Sequence, residues 1–154
     1  MKKAFTARRR SIQVSIETII DNYNLRPALE QALADKDTFH LRLENGAWQP
    51  LVIEGTPEGF ISVAHYAPSY VPGGRDIRDP EIVFEPNTWL GVEITMDPVG
   101  RYQRVDRPGQ QYYPGIEDLA KAWGLNLRHQ GFTNKSEVKA TSLTHNLETL
   151  ERKD

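Results

Sequence analysis

Two spacings of apolar residues divide this chain into helices and strands. Ile16, Ile19, Ile20 and Tyr23 recur at helical intervals, and Leu29, Ala32 and Leu33 extend the stripe. The pattern predicts a helix capped by Ser15, with Glu17 and Thr18 in its first turn. Asn24-Leu25-Arg26-Pro27 marks a break and a restart, because proline fits a first helical turn and not a helix interior. A second short helix then runs to about Ala34.

The middle of the chain changes to a period of two. Phe39-His40-Leu41-Arg42-Leu43 alternates strictly, which turns Phe39, Leu41 and Leu43 inward and His40 to solvent. Asn45-Gly46 supplies the positive φ of a tight hairpin turn. The return strand over Trp48 to Glu54 contains Pro50, which assigns it to an edge or a bulge and leaves a strand-paired homodimer open. Phe60 to Tyr66 carries apolar residues on both faces and reads as a central strand, with Ile61, Val63 and His65 together on one of them. Residues 67–78 hold Pro68, Pro72, Gly73 and Gly74 and read as a long loop. Ile82-Val83-Phe84, Trp89 to Met96 and a short Tyr102 to Val105 are the later strands, and residues 106–114 are a polar connection.

Helical spacing returns over 115–130. Ile116, Leu119, Ala120, Trp123 and Leu127 share a face, acids stand in the first turn, Arg128 and His129 stand in the last, and Gly131 is placed to end it. Residues 133–154 are polar, with only Leu143, Leu147 and Leu150 at helical spacing. Helices at both ends of a run of strands predict an α+β domain: an antiparallel sheet of five or six strands packed by N-terminal and C-terminal helices. The expected organisation is a basic flexible arm at 1–14, one domain at 15–131 and a polar tail or short helix at 132–154.

Composition narrows the function classes. The chain has 154 residues, 26% of them charged, and a net charge of -2, so no overall field draws it to nucleic acid or membrane. It has no cysteine, which excludes disulfides and thiolate chemistry and agrees with a reducing compartment. The basic start is interrupted before any secretory apolar run forms, and no stretch approaches a membrane span, so a cytoplasmic protein is expected. Lys2, Lys3, Arg8, Arg9 and Arg10 read as a solvated arm or as an arm that contacts phosphate; Phe5 alone is available there for stacking.

Two constellations are candidates for chemistry. The first is His65 with Asp76, Asp79 and Glu81. A histidine on one strand and carboxylates at the start of the next meet if those strands pair, and such a group can hold a cation or orient an imidazole. The plainer reading has Asp79 capping a turn and His65 donating to a loop carbonyl. A single histidine falls short of a zinc site, so neither a metal nor a cofactor is expected. Nucleophilic catalysis lacks its motifs: Ser62 has no elbow context, and Gly73-Gly74 is not followed by the lysine-serine of a phosphate loop. The second constellation is a surface of Tyr66, Tyr70, Arg75, Asp76, Arg78, Arg101 and Tyr102, joined by Arg104, Arg107, Tyr112 and Tyr113. Tyrosine with arginine is the pair enriched in protein interfaces and single-strand platforms. The leading expectation is a non-enzymatic protein-interaction module. The alternatives are a small metal-dependent or acid–base enzyme at His65, Asp79 and Glu81, and a nucleic-acid-binding protein that uses the basic arm.

Three segments carry a family resemblance: Asn45-Gly46-Ala47-Trp48-Gln49-Pro50, Ile61-Ser62-Val63-Ala64-His65-Tyr66 and Asp79-Pro80-Glu81-Ile82-Val83-Phe84. With Trp89, Gly100-Arg101-Tyr102-Gln103 and a closing helix bearing Trp123, they resemble the domain-of-unknown-function family DUF6908 over roughly residues 38–130. Members of that family join the second and third segments by a shorter link with a glycine-aspartate element, which Gly74-Arg75-Asp76 approximates here. The resemblance implies an accessory protein of bacterial plasmids, phages and other mobile elements, and implies no activity.

Overall fold

A computed structural model of the protein describes residues 9–46, 48–69, 71–104 and 114–148. Its order is α1 (Ser11–Asn22), α2 (Arg26–Asp35), β1 (Phe39–Glu44), β2 (Leu51–Gly55), β3 (Ile61–Ala67), β4 (Ile77–Phe84), β5 (Gly91–Met96), β6 (Arg101–Arg104), α3 (Pro114–His129) and β7 (Lys139–Thr141). The strands form one seven-stranded antiparallel sheet in the order β6-β5-β4-β3-β2-β1-β7. The α+β class is as expected, and the strand count exceeds the expected five or six. The additional strand comes from the polar tail: Lys139–Thr141 lies antiparallel to Arg42–Glu44. Three residues without apolar alternation give no strand signal of their own. The ladder and the bonds of His40 hold this segment. Leu143 N–H donates to His40 Nδ1 at 3.1 Å, and His40 N–H donates to Thr144 Oγ1 at 3.1 Å.

The expected edge strand is a correction. β2 lies between β1 and β3, so residues 48–54 offer no free edge for strand pairing between copies. Pro50 precedes the strand instead of interrupting it, and the ladder closes at Leu43 and Leu51. β4 is longer than its apolar core suggests. Ile77 and Arg78 pair with Ala67 and Tyr66, and a bulge between Ala64 and Tyr66 accommodates Asp79-Pro80, where proline offers no N–H to the ladder. The loop predicted over 67–78 is correspondingly shorter. At Trp89 φ is +57°, so β5 starts at Gly91 and not at Trp89.

α1 starts at Ser11, four residues before the predicted cap, because Ser15 is spent on packing. Its Oγ donates to Gly124 O at 2.6 Å and accepts from Arg128 Nη1 at 2.8 Å, and the same Nη1 donates to Ser11 O at 2.9 Å. Gly124 lets the two helices approach this closely. A Cβ built there would stand 2.6 Å from Ile12 N and from Ser11 C. Residues 9–14 therefore belong to the fold and not to a flexible arm. Arg9 pairs with Glu17 at 2.6 Å, and Arg10 Nε donates to Thr88 O at 3.0 Å. Lys2, Lys3 and Arg8 lie outside the described residues. Gly131, with φ +83°, ends α3 as expected and swings Phe132 back into the core.

One core holds the apolar stripes of all three helices and one face of the sheet: Phe39, Leu41, Leu43, Leu51, Ile53, Ile61, Val63, Ile82, Phe84 and Ile94. Val52, Ala64 and Val83, which point the other way, are buried but stand outside that core. Among the described residues, no helix is long and apolar enough to cross a membrane.

Candidate functional site

Alternation along β3 separates the first candidate constellation. His65 follows Ile61 and Val63 onto the helix side of the sheet, 9% exposed, with its ring centroid 5.4 Å from that of Trp123 and 5.7 Å from that of Phe132. Its Nδ1 lies 3.1 Å from Gln49 O and 3.3 Å from Pro50 O. Carbonyls only accept, so Nδ1 carries the proton and donates. Glu81 is paired with Ala64 and lies on the opposite face, where Ser62 Oγ donates to its Oε2 at 3.0 Å. Asp79 reaches His65 only as a nearby charge. The sheet thus stands between the histidine and the glutamate, and the acid–base geometry expected of them does not form. Among the described residues, no group of three or more His, Asp or Glu is placed to hold a metal ion.

Burial holds the His65 imidazole below the ordinary histidine pKa, against a smaller opposing pull from the two carbonyls and Asp79. A folded-state pKa below the unfolded one means that the unfolded chain takes up the proton first. The contribution is complete above about pH 6.5 and is lost as pH falls through the lowered folded value. His65→Asn keeps an N–H donor but does not titrate. Its stability, measured by urea unfolding from pH 7.5 to 5, is expected to fall less steeply with acid than that of the native chain; parallel slopes would show that the ring is solvated.

The second candidate constellation assembles in part, on the sheet face turned away from the helices. Two rows of paired residues cross it. One runs His40, Glu54, Ser62, Val83, Glu93, Arg104; the other runs Arg42, Val52, Ala64, Glu81, Thr95, Tyr102. Tyr66 and Arg78 form a further pair beside them. The centre of this face is a low floor of Ser62, Ala64, Val83 and Thr95. Glu54, Glu81 and Glu93 frame the floor, and the arginines and Tyr102 form its margin. Tyr102 is 59% exposed.

Electrostatics mark the same centre. Burial, with the Glu81 charge, raises the Glu54 carboxyl above its ordinary pKa, and burial is also the main cause that raises Glu93. Burial, together with Glu81 and Glu54, pushes the Tyr66 phenol up to about 12. Arg78 is committed largely to Asp97, with Nε 3.1 Å from Oδ2 and its backbone N–H 2.8 Å from the same oxygen, which holds Asp97 below the usual carboxylate range. Arg78 stands at 3.6 Å from Glu81.

Of the expected surface, Tyr66, Arg78 and Tyr102 are thus brought together. Arg101 pairs with Met96 on the helix side and donates to Gln103 Oε1 at 2.8 Å. Arg75 and Asp76 are exposed in the loop before β4. Tyr70, Arg107, Tyr112 and Tyr113 lie outside the described residues. Sequence reasoning missed Glu54, Glu93 and Thr95; the signal was present in the alternation of their strands, once the pairing order was known.

Fold and face together define a class: an α+β domain whose sheet gives one side to the core and presents the other, with an acidic centre and an aromatic and basic margin. The chain belongs to the family described as a domain of unknown function (DUF6908), whose model matches residues 16–133. The match takes in most of α1 and every element through α3, and leaves out β7. No curated protein and no solved structure matches the chain.

Proposed function

We propose that this protein is a non-enzymatic interaction module that binds a partner protein on the sheet face turned away from its helices, as an accessory of a bacterial mobile element. The observation that carries the binding role is the convergence of Tyr66, Tyr102, Arg78 and Arg104 with three glutamates on one face of the sheet. Tyrosine and arginine supply contact area and directional donors at interfaces. A half-buried acidic centre repels phosphate, so the face favours protein over nucleic acid. The mobile-element setting rests on the family resemblance alone.

The test is affinity capture of the tagged full chain from cells of its native host, carried out in parallel with and without nuclease treatment. A stoichiometric protein partner is expected with the native chain and is expected to be lost with Tyr66→Ala/Tyr102→Ala, provided the circular dichroism of that variant is native. Nuclease-sensitive recovery of nucleic acid in place of protein, or a partner that survives both substitutions, would overturn the proposal.

A further inference from the structure

We infer that the polar tail is held to the sheet by a proton-sensitive clasp centred on His40, closed while the imidazole is neutral and opened when it takes up a proton. Three polar groups of this one residue bind the segment after β7. Its N–H donates to Thr144 Oγ1 at 3.1 Å, its carbonyl accepts from Ser142 Oγ, and its ring Nδ1 accepts from Leu143 N–H at 3.1 Å. An amide N–H only donates, so Nδ1 offers a lone pair and the ring proton sits on Nε2. An imidazolium carries a proton on both nitrogens. Protonation therefore sets two donors face to face, and the Leu143 amide has no rotor with which to reverse its role.

The rest of the tail is lightly held. β7 is three residues long, with Lys139 and Thr141 exposed and Ala140 half-buried. Leu143 is 85% exposed. The His145 ring stands 5.6 Å from that of Phe39, and Val138 and Leu147 pack partly buried against the core. A segment with so few buried apolar contacts opens at low cost. His145 is a poor sensor by comparison. Its Nδ1 lies 2.7 Å from Thr144 Oγ1, a hydroxyl that both donates and accepts and so serves the ring in either charge state. The other charges near His40 come from both neighbouring strands. Arg42 follows it on the same side of β1, with Nε 3.3 Å from Glu44 Oε1. Glu54 stands opposite it on β2, and its own raised pKa makes it a weaker counter-charge as pH falls. Lys139, paired with Glu44, and exposed Glu148 lie farther along the tail. Burial, then the Arg42 charge, holds the His40 imidazole below the ordinary histidine value. The clasp is therefore complete above about pH 6.5 and is lost as pH falls through the lowered folded value. Opening withdraws the ladder partner of Arg42, Leu43 and Glu44 and leaves β1 as an unpaired sheet edge.

The test uses the absence of cysteine from the chain. Leu143→Cys, at an exposed side chain, takes a single nitroxide label in the full-length protein. Its electron paramagnetic resonance spectrum is followed from pH 7.5 to 5, over the range in which far-UV circular dichroism stays native. An immobilised label is expected at pH 7.5, and a mobile component that grows several-fold in acid with a midpoint below about pH 6.5. His40→Asn places an amide oxygen at the same number of bonds from the main chain as Nδ1 and does not titrate, so its label should stay immobilised throughout. His40→Ala removes the acceptor, and its label should be mobile at every pH. His145→Asn should respond to acid as the native sequence does. A label whose mobility ignores pH would overturn the clasp. So would a His40→Asn variant that loosens in acid like the native sequence, or a response abolished by His145→Asn.

Discussion

Replacing Gly124 by alanine is expected to destabilise the protein by about 1–3 kcal/mol, although alanine is the better helix former by about 1 kcal/mol. The added methyl would lie 2.6 Å from Ile12 N and Ser11 C, and both are backbone atoms that no rotamer change can move aside. α1 must shift outward, and the shift pulls on a joined set of bonds: Ser15 Oγ to Gly124 O at 2.6 Å, Arg128 to Ser15 and Arg128 to Ser11. Overpacking and lost bonds outweigh the gain in helix propensity. Urea and thermal unfolding should show a melting temperature lower by several degrees, at roughly 2–4 °C per kcal/mol for a chain of this size, with far-UV circular dichroism unchanged. An alanine variant as stable as the native chain would mean that α1 and α3 do not touch at this point.

Trp123 is expected to show the opposite dependence on shape and polarity. Trp123→Ala should cost about 3–5 kcal/mol, because it empties a site between His65 and the core stripe of α3. Trp123→Phe should cost less than about 1.5 kcal/mol. The indole Nε1 is buried with no hydrogen-bond partner among the described residues, so phenylalanine loses ring area but relieves an unsatisfied donor. Chemical denaturation of the two variants side by side checks this. A phenylalanine variant as damaged as the alanine one would place a bonding partner on that nitrogen.

The parts of the fold legible in the sequence were those written in local periodicity. The Ile16–Tyr23 stripe, the break before Pro27, the alternation of Phe39, Leu41 and Leu43, and the Ile116–Leu127 stripe each state their own partner face. β7 was illegible because Lys139-Ala140-Thr141 has no pattern, and only the vacant side of β1 makes it a strand. Pro80 hid the first half of β4, since it falls in a bulge of β4 itself, where Asp79 and Pro80 together face the one residue His65, and only the pairing with β3 reveals this. The site failed and succeeded for one reason. The spacing of His65 and Glu81 was read through the order of strands and not through their faces; the antiparallel pairing holds, but pairing Ala64 with Glu81 puts the carboxylate on the side that His65 leaves. The same parity, read across β2 to β6, gathers Glu54, Glu81 and Glu93, which no single segment announces.

The floor of the proposed binding face is the back of the core. Ser62, Ala64 and Val83 share their strands with Ile61, Val63, Ile82 and Phe84, so the backbone beneath the face is fixed by the packing on its other side. Such a surface is preorganised: occupying it orders a few long side chains and no main chain. On the proposed reading, a partner would bear most of the entropy lost on association, and the rate of encounter would be set by orientation and charge rather than by rearrangement of this protein. A face of this kind would discriminate as a mould does, by refusing what does not fit, and the proposed selectivity should survive transfer to a different surrounding sequence as long as the helices beneath it remain.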